Sequence, residues 1–258
     1  MSQSRPTDFS GKTVIVTGAS RGIGRVIAQQ FAANGARVVV HYHKGEANAT
    51  ETLHLLQGEG HIVLQADIKD PRATRDFVNA AVAKMGRVDT LVNNAGIFKT
   101  HIVSETSYEQ WRNLWRETLT VNLDGPANLT FCVVEHMMKQ GGGRIVNISS
   151  RGAFRGEPQA PAYGASKAGL NAFSQSMARA LAPHNIFVYA VAPGFVDTDM
   201  AAASLAGPKG DEIRNQSPLG RVARPEEVAH TVLFLASDGS EFLTGGIIDV
   251  NGASYLRS

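Results

Sequence analysis

Short runs of apolar, mostly β-branched residues alternate along this chain with longer segments in which apolar residues recur at helical spacing. Runs of the first kind predict buried strands, and segments of the second kind predict helices. We predict strands at residues 13–17, 37–41, 61–66, 88–92, 144–148 and 186–191, and a last strand within 245–251. We predict helices at residues 24–34, 47–57, 72–84, 108–139 and 163–182.

This alternation predicts an α/β fold, a doubly wound parallel sheet with helices on both faces. A chain of 258 residues without an internal repeat is expected to form a single domain over 1–258. Residues 199–220 do not fit the pattern, because they are rich in Ala, Gly and Pro and only weakly periodic. We expect a mobile excursion there that covers a binding site, with a disordered surface loop as the alternative.

Composition narrows the class of protein. Hydrophobic residues make up 43% and charged residues 19%, and no apolar run is long enough to cross a bilayer. Residues 1–10 have no apolar segment of the signal-peptide kind, so we expect a cytoplasmic protein without membrane contact. The formal net charge of +2 is far from the clustered positive charge of nucleic-acid-binding proteins, so no nucleic-acid partner is expected.

Cysteine and histidine usage predicts neither a disulfide nor a metal site. Cys132 is the only cysteine, which excludes an internal disulfide. The eight histidines show no metal-ligand spacing. His41 and His43 alternate on one strand and should point to the same side, but without further metal-ligand partners.

A glycine-rich turn follows the first strand and opens directly into a helix. Glycines there permit a tight turn, and the free N–H groups of a helix amino end suit a pyrophosphate. We therefore predict a Rossmann-type dinucleotide site at Gly18, Ser20, Arg21, Gly22, Ile23 and Gly24. An ordinary glycine-rich turn stays open as an alternative, because three residues rather than one separate the first two glycines.

The second strand ends without the acidic residue that commonly binds the ribose of NAD. Arg21, His43 and Lys44 could instead hold a 2′-phosphate, since a guanidinium pairs well with phosphate. NADP(H) is therefore favoured over NAD(H), the alternative being that these are solvated surface charges.

Two further strand ends supply candidate cofactor contacts. Asp67 follows the third strand, where a carboxylate could accept from an adenine amino group, although Asp also caps helices and turns. After the fourth strand, small residues would let a ribose lie against the backbone, although the same residues suit a simple turn. The predicted contacts are Asp67, Ile68, Asn94, Ala95 and Gly96.

Tyr163 and Lys167 lie four residues apart on a predicted helix, thirteen residues or more after Ser150. A four-residue step brings two side chains to the same helix face. A nearby ammonium favours the phenolate and lowers the pKa of a tyrosine toward neutrality, which makes the phenol a usable acid or base. A surface aromatic with a solvated lysine neighbour is the alternative.

Together these motifs, in this order, resemble the short-chain dehydrogenase/reductase family over nearly the whole chain. The resemblance implies a catalytic tetrad of Asn122, Ser150, Tyr163 and Lys167. In it the tyrosine exchanges a proton with the substrate oxygen, the serine holds that oxygen, and the lysine lowers the phenol pKa and binds the nicotinamide ribose. The asparagine locally interrupts its helix and ties the lysine to a water chain. The resemblance also implies a homotetramer, and nicotinamide contacts from Pro193, Gly194, Val196 and Thr198.

The expected activity is NADP(H)-dependent hydride transfer between the nicotinamide and a ketone, a 3-oxoacyl-type carbonyl or a secondary alcohol. Family members that reduce carrier-protein substrates carry basic residues where this chain has Gly141 and His184, which weakens that assignment. Arg151 and Arg155 could face the pocket and favour an anionic or polar substrate. Two alternatives remain: a non-catalytic NADP-binding sensor or scaffold, and an NAD-dependent sugar or alcohol dehydrogenase.

Overall fold

The computed structural model describes residues 7–257. Its sheet is entirely parallel, in the order β3-β2-β1-β4-β5-β6-β7. The strand order changes direction between β1 and β4, which leaves a crevice at the carboxyl ends of those strands. The strands are β1 (Thr13–Val16), β2 (Arg37–Tyr42), β3 (Ile62–Gln65), β4 (Thr90–Asn93), β5 (Gly143–Ile148), β6 (Ile186–Pro193) and β7 (Ile247–Val250).

Helices cover both faces of this sheet, which confirms the predicted fold class. Successive strand residues point to opposite faces, so Val14 and Val16 of β1 pack in one apolar core and Ile15 packs in the other. The helices are α1 (Gly22–Ala33), α2 (Glu46–His54), α3 (Pro71–Met85), α4 (Tyr108–Leu119), α5 (Gly125–Gln140), α6 (Gly152–Arg155), α7 (Pro161–Leu181), α8 (Asp199–Ala206), α9 (Gly210–Asn215) and α10 (Pro225–Ala236). Side chains of α1, α2 and α10 line the first core, and those of α3, α5 and α7 line the second.

The prediction of a single helix at residues 108–139 is wrong in the middle of this range. A π-helical segment, Thr120–Asp124, separates α4 from α5. The buried Asn122 lies in this segment, and its side-chain amide bonds to the backbone of Ile97 rather than to its own helix. π-helical segments of this kind often mark functional sites. The local interruption at Asn122 is therefore present.

The excursion over 199–220 is not an irregular loop, because it contains α8 and α9. The two helices are eight and six residues long, too short to show a clear apolar period in the sequence. The next helix, α10, is also absent from the sequence prediction. Its apolar residues follow one another closely and six of them are buried, so the helix has little of the polar face that periodicity detects.

Candidate active site

The glycine turn between β1 and α1 is packed tightly against the end of β4. Gly18 has a φ of +62°, and a Cβ on it would lie 3.0 Å from the Ala95 Cα. A Cβ on Gly24 would collide with the Gly18 carbonyl oxygen and with the Asn94 side chain. No larger residue fits at these two positions without moving the backbone, which explains the glycines. The turn is thus a rigid cradle at the carboxyl edge of the sheet.

Asn94 fixes the shape of this cradle. Its Nδ2 donates to the carbonyl oxygens of Thr17 at 2.8 Å and Gly18 at 3.2 Å, and its N–H donates to the Thr17 hydroxyl at 2.9 Å. The side chain is therefore committed to tying β4 to the glycine turn. A cofactor contact from Asn94 stays a prediction, and its side-chain amide bonds to the protein backbone.

His41 lies buried beneath the same turn. Its Nδ1 accepts from the Gly18 N–H at 3.1 Å, and its Nε2 lies 3.2 Å from the Ala66 carbonyl oxygen. The ring also packs edge-on against Phe77. Burial lowers the pKa of His41 to about 4, so the imidazole is neutral at pH 7 and donates from Nε2 to the carbonyl. Its position in an unbroken buried strand is the sequence signal for such a role.

The amino end of α1 and the residues around it could receive a phosphate group. Arg21, the N-cap residue, is extended and supplies no side-chain cap, and its guanidinium has no hydrogen bond or ion pair within residues 7–257. His43 interacts with Asp67 instead, since its Nε2 is 3.5 Å from an Asp67 carboxylate oxygen. Asp67 also accepts from the Lys69 N–H, which is the turn-capping role left open in the sequence.

The end of β6 closes the other side of the cradle. Thr198 Cγ2 is 3.6 Å from the place that a Cβ on Gly22 would take. Gly194 lies against Asn251, since a Cβ on it would be 3.1 Å from the Asn251 Cα. Val196 forms an isolated parallel bridge with Ala223 that uses the N–H of Asp197 and the carbonyl of Phe195. The Val196 N–H therefore keeps no partner within the described chain.

Tyr163 and Lys167 face the same side of α7, toward the end of β5. Lys167 Nζ lies 5.8 Å from the centre of the Tyr163 ring and donates to the Ile148 carbonyl oxygen at 2.7 Å. Ser150 follows β5, and its hydroxyl lies close enough to the Tyr163 phenol to lower that group's pKa. Three predicted catalytic side chains are thus brought together at the crevice.

Asn122 completes this cluster from the π-helical segment. Its Oδ1 accepts from the Ile97 N–H at 2.8 Å, and its Nδ2 donates to the Ile97 carbonyl oxygen at 2.9 Å and to Ser166 Oγ at 3.2 Å. A Cβ on Gly96 would lie 3.3 Å from Asn122 Oδ1 and 3.5 Å from Lys167 Nζ. The absence of a side chain at Gly96 lets these two polar groups approach the same point.

Burial is the main influence on the protonation of the cluster. Burial raises the pKa of Tyr163, hydrogen bonding from Ser150 opposes that rise, and the Glu157 carboxylate adds to it. Burial also lowers the pKa of Lys167 to about 8. The lowering of the phenol pKa by Lys167 stays a prediction: desolvation of the phenolate is the largest influence on the Tyr163 pKa, and the ammonium donates to the Ile148 carbonyl.

Arg151 does not face the pocket as a free cation, so that expectation is wrong. Its side chain is buried, donates to Ser254 Oγ and to Gln216 Oε1, and lies over the Phe195 ring. Arg155 reaches the same Gln216 oxygen at 3.3 Å. The pair attaches the residues after Ser150 to the end of α9 and to the C-terminal tail.

His101 is a residue that the sequence analysis missed. Its Nε2 accepts from the Ala162 N–H at 3.1 Å, in the first turn of α7 and next to Tyr163. Its Nδ1 lies 2.7 Å from the Lys99 carbonyl oxygen and donates to it, and its N–H donates to Gln159 at 2.7 Å. No sequence motif marks this position, because the contact joins segments about 60 residues apart.

No helix within residues 7–257 is both long and apolar enough to cross a membrane. In the same range, no three His, Cys, Asp or Glu side chains are grouped so that they could share a metal ion.

Comparisons with known proteins agree with this geometry. The family described as Enoyl-(Acyl carrier protein) reductase matches residues 18–253. The 3-oxoacyl-acyl-carrier-protein reductase FabG of Escherichia coli (strain K12) is 38% identical over 250 residues, 96% of this chain and 99% of the relative. FabG of Aquifex aeolicus (strain VF5) is 40% identical over 250 residues, 96% of this chain and 98% of the relative.

A solved structure gives the same result in three dimensions. A dehydrogenase/reductase from Sinorhizobium meliloti 1021 superimposes with a TM-score of 0.89 at 31% identity, covering 97% of this chain and 98% of that one. Similarity to known proteins over nearly the full length of the chain therefore accompanies the parallel sheet, the glycine cradle and the cluster of Ser150, Tyr163 and Lys167. This chain belongs to the short-chain dehydrogenase/reductase family of oxidoreductases.

Proposed function

We propose that this protein is an NADP(H)-dependent carbonyl reductase, which transfers hydride between the nicotinamide and a ketone or 3-oxoacyl-type carbonyl. The observation that carries the proposal is the meeting of Ser150, Tyr163 and Lys167 at the crevice beside the glycine cradle. A sensor or scaffold has no chemical need for a phenol and an ammonium held together in this way.

The side chains divide the proton chemistry of such a reaction. A bound nicotinamide supplies or accepts the hydride. Tyr163 donates a proton to the carbonyl oxygen in reduction, and its raised pKa keeps it in the protonated form that this step needs. Ser150 donates a hydrogen bond to the same oxygen as negative charge develops on it. Lys167 and Asn122 hold polar groups next to Gly96, where they could orient the nicotinamide ribose and return protons from water.

The cradle fits a dinucleotide phosphate. Gly18 and Gly24 leave space that any Cβ would fill, and the amino end of α1 carries no capping side chain. The Arg21 guanidinium, which has no partner within residues 7–257, and the exposed Lys44 are the groups that would bind a 2′-phosphate and give preference for NADP(H). His43 would have to leave Asp67 to join them. Asp67 and the buried Ile68 would then lie beside the adenine.

The preferred substrate in this proposal is a free ketone. The relatives named above are 3-oxoacyl-acyl-carrier-protein reductases, which supports a carbonyl substrate. Gly141 and His184 provide no pair of strong cations for docking an acidic carrier protein, so a carrier-linked substrate is the second choice.

We also propose a homotetramer in the cytoplasm. Phe131 of α5 is 59% exposed, and Phe242, soon after α10, is fully exposed. Large apolar side chains on two separate surfaces suit two kinds of subunit contact.

The test is the consumption of NADPH and of NADH with a panel of ketones, in wild type, Tyr163→Phe and the control Tyr108→Phe. Tyr108 is 78% exposed on α4. We expect turnover with NADPH, a loss of about 10²-fold or more in kcat for Tyr163→Phe, and no change for Tyr108→Phe, since a positioned general acid contributes that much. Dinucleotide binding, followed by fluorescence, should survive in Tyr163→Phe.

Other outcomes decide between the alternatives. Tight NADPH binding without reduction of any ketone would favour the sensor or scaffold. Faster turnover with NADH, especially with sugars or simple alcohols in the oxidative direction, would favour the NAD-dependent dehydrogenase.

A further inference from the structure

Glu157 lies between the two segments that carry the catalytic hydroxyl groups of Ser150 and Tyr163. A Cβ on Gly152 would lie 2.5 Å from Glu157 Oε1 and 3.1 Å from its Cδ, so the carboxylate rests on the bare Gly152 backbone. The Gly152 N–H donates to Ser150 Oγ at 3.0 Å. On the other side, a Cβ on Gly164 would lie 3.5 Å from the Glu157 N. Glu157 thus packs against two glycines: Gly152, which lies beside Ser150, and Gly164, which is next to Tyr163.

The carboxylate is partly buried but has no protein partner. Within residues 7–257, no hydrogen bond or ion pair involves its oxygens. Burial raises the pKa of Glu157, while the charges of Arg155 and Arg151 oppose the rise. A half-buried carboxylate is ordinarily hydrogen-bonded, because leaving its acceptors unmatched costs free energy. The carboxylate oxygens of Glu157 can therefore accept hydrogen bonds from a molecule that binds in the site.

The nearby Arg151 and Arg155 side chains do not hydrogen-bond to the Glu157 carboxylate. The Arg151 guanidinium is directed to Ser254 and Gln216. The Arg155 guanidinium donates to Gln216. The charge of Glu157 raises the pKa of Tyr163, so the carboxylate lies near the reacting phenol. A negative acceptor close to the reacting oxygen repels anionic substrates and attracts hydrogen-bond donors.

We propose that Glu157 is a substrate-recognition residue that accepts a hydrogen bond from a hydroxyl group on the carbon next to the carbonyl, which makes α-hydroxyketones the favoured substrates. This inference rests on the proposed function and deepens it. Ser150 and Tyr163 hold the carbonyl oxygen, and Glu157, across Gly152 from Ser150, meets the neighbouring hydroxyl. A simple ketone of the same size would leave the carboxylate unmatched.

The experiment compares hydroxyacetone with 2-butanone, which has a methyl group in place of the hydroxyl. The readout is the ratio of their kcat/KM values with the better dinucleotide, so a general loss of activity in a variant cancels. Variants are Glu157→Ala, Glu157→Gln and the control Glu59→Gln, an exposed carboxylate in the loop between α2 and β3. Acetoacetate against ethyl acetoacetate tests the repulsion of an anion.

In wild type we expect hydroxyacetone to be favoured by about tenfold or more, since a hydrogen bond to a charged group contributes that much discrimination. Glu157→Ala should bring the ratio close to one. Glu157→Gln keeps the shape and a weaker acceptor, so its ratio should fall between the two. Glu59→Gln should keep the wild-type ratio. The ester should be reduced better than the acetoacetate anion in wild type, with a smaller difference in Glu157→Gln.

Two failures are distinguishable. If wild type reduces neither ketone with either dinucleotide, the proposed function fails and the role of Glu157 falls with it. If both ketones are reduced but their ratio is near one, or is unchanged in Glu157→Ala and Glu157→Gln, the reductase stands and the recognition role is overturned.

Discussion

Arg21 stands at the start of α1 with its guanidinium unpaired within the described residues. If it binds a 2′-phosphate, Arg21→Ala should lower the ratio of kcat/KM for NADPH over NADH by about tenfold or more, because a charge-assisted hydrogen bond to phosphate is lost. Steady-state kinetics with both dinucleotides measure this ratio. The control Arg179→Ala removes an exposed arginine of α7 and should leave it unchanged. An unaltered ratio in Arg21→Ala would exclude Arg21 as the selective contact.

Individual residues were predictable from sequence where chemistry is tied to short-range spacing. Tyr163 and Lys167 are one helical turn apart, so their shared face follows from the helix alone. The bonding of His101 to Ala162, and of Arg151 to Gln216, joins distant segments and left no local pattern to find. The pKa of Tyr163 was also out of reach, since it depends on how deeply the fold buries the phenol.

At the scale of elements, α7 depends on a cap that another segment supplies. Ala160 precedes the helix and provides no side-chain cap, and His101 accepts from the Ala162 N–H instead. His101→Leu should therefore lower the free energy of unfolding by about 1 kcal/mol, as for other lost helix caps. Because Tyr163 is the next residue, we expect kcat to fall more than KM rises. Thermal unfolding and steady-state kinetics measure the two effects.

The control for this experiment is His230→Leu, at an exposed position of α10. This substitution should leave kcat unchanged and should change the free energy of unfolding by less than about 0.5 kcal/mol, as is usual for surface substitutions. A His101→Leu protein with wild-type kcat would contradict the positioning role, even if its stability were reduced.

Strands and most helices were predictable because each has either an apolar run or an amphipathic period. The predicted strand at 37–41 differs by one residue from the observed Arg37–Tyr42. The π-helical segment was not visible as an element, since it depends on where the Asn122 amide finds partners on Ile97. The α10 helix was missed because it is buried on several sides, so that apolar residues occupy almost all of its second half.

For the whole molecule, the neutral state of His41 predicts a dependence of stability on pH. An unfolded histidine has a pKa of about 6.5, and in the folded protein that of His41 is lowered to about 4. The unfolded chain therefore binds the proton more tightly. The contribution of His41 to stability is complete above pH 6.5 and is lost as pH falls toward 4. Between pH 8 and pH 5 the loss should be about 2 kcal/mol.

In the variant His41→Gln, the loss of unfolding free energy between pH 8 and pH 5 should be smaller than in wild type by about 2 kcal/mol. Denaturant unfolding at the two pH values measures this difference. Asp67 and His43 face His41 electrostatically and are unchanged in this comparison. His54→Gln, which removes an exposed imidazole of α2, should keep the wild-type dependence. An equal loss in wild type and His41→Gln would show that His41 is not the titrating group.

The overall architecture followed from the alternation of strands and helices, because parallel strands require crossover helices on the faces of the sheet. The closure of the site did not follow from it. That closure depends on Thr198 against Gly22, on the bridge from Val196 to Ala223, and on Gln216 against Arg151. Each of these contacts joins segments that meet only in the finished fold.

The side chain of Arg151 has one further consequence. It begins one residue after Ser150 and ends on Gln216 and Ser254, so a single guanidinium connects the segment after Ser150, the end of α9 and the carboxyl-terminal tail. Any displacement of the end of α9 must break these hydrogen bonds or carry the Arg151 guanidinium along. The position of α9 and the alignment of Ser150 are therefore mechanically coupled, and relatives that differ only in residues 199–220 should differ in turnover.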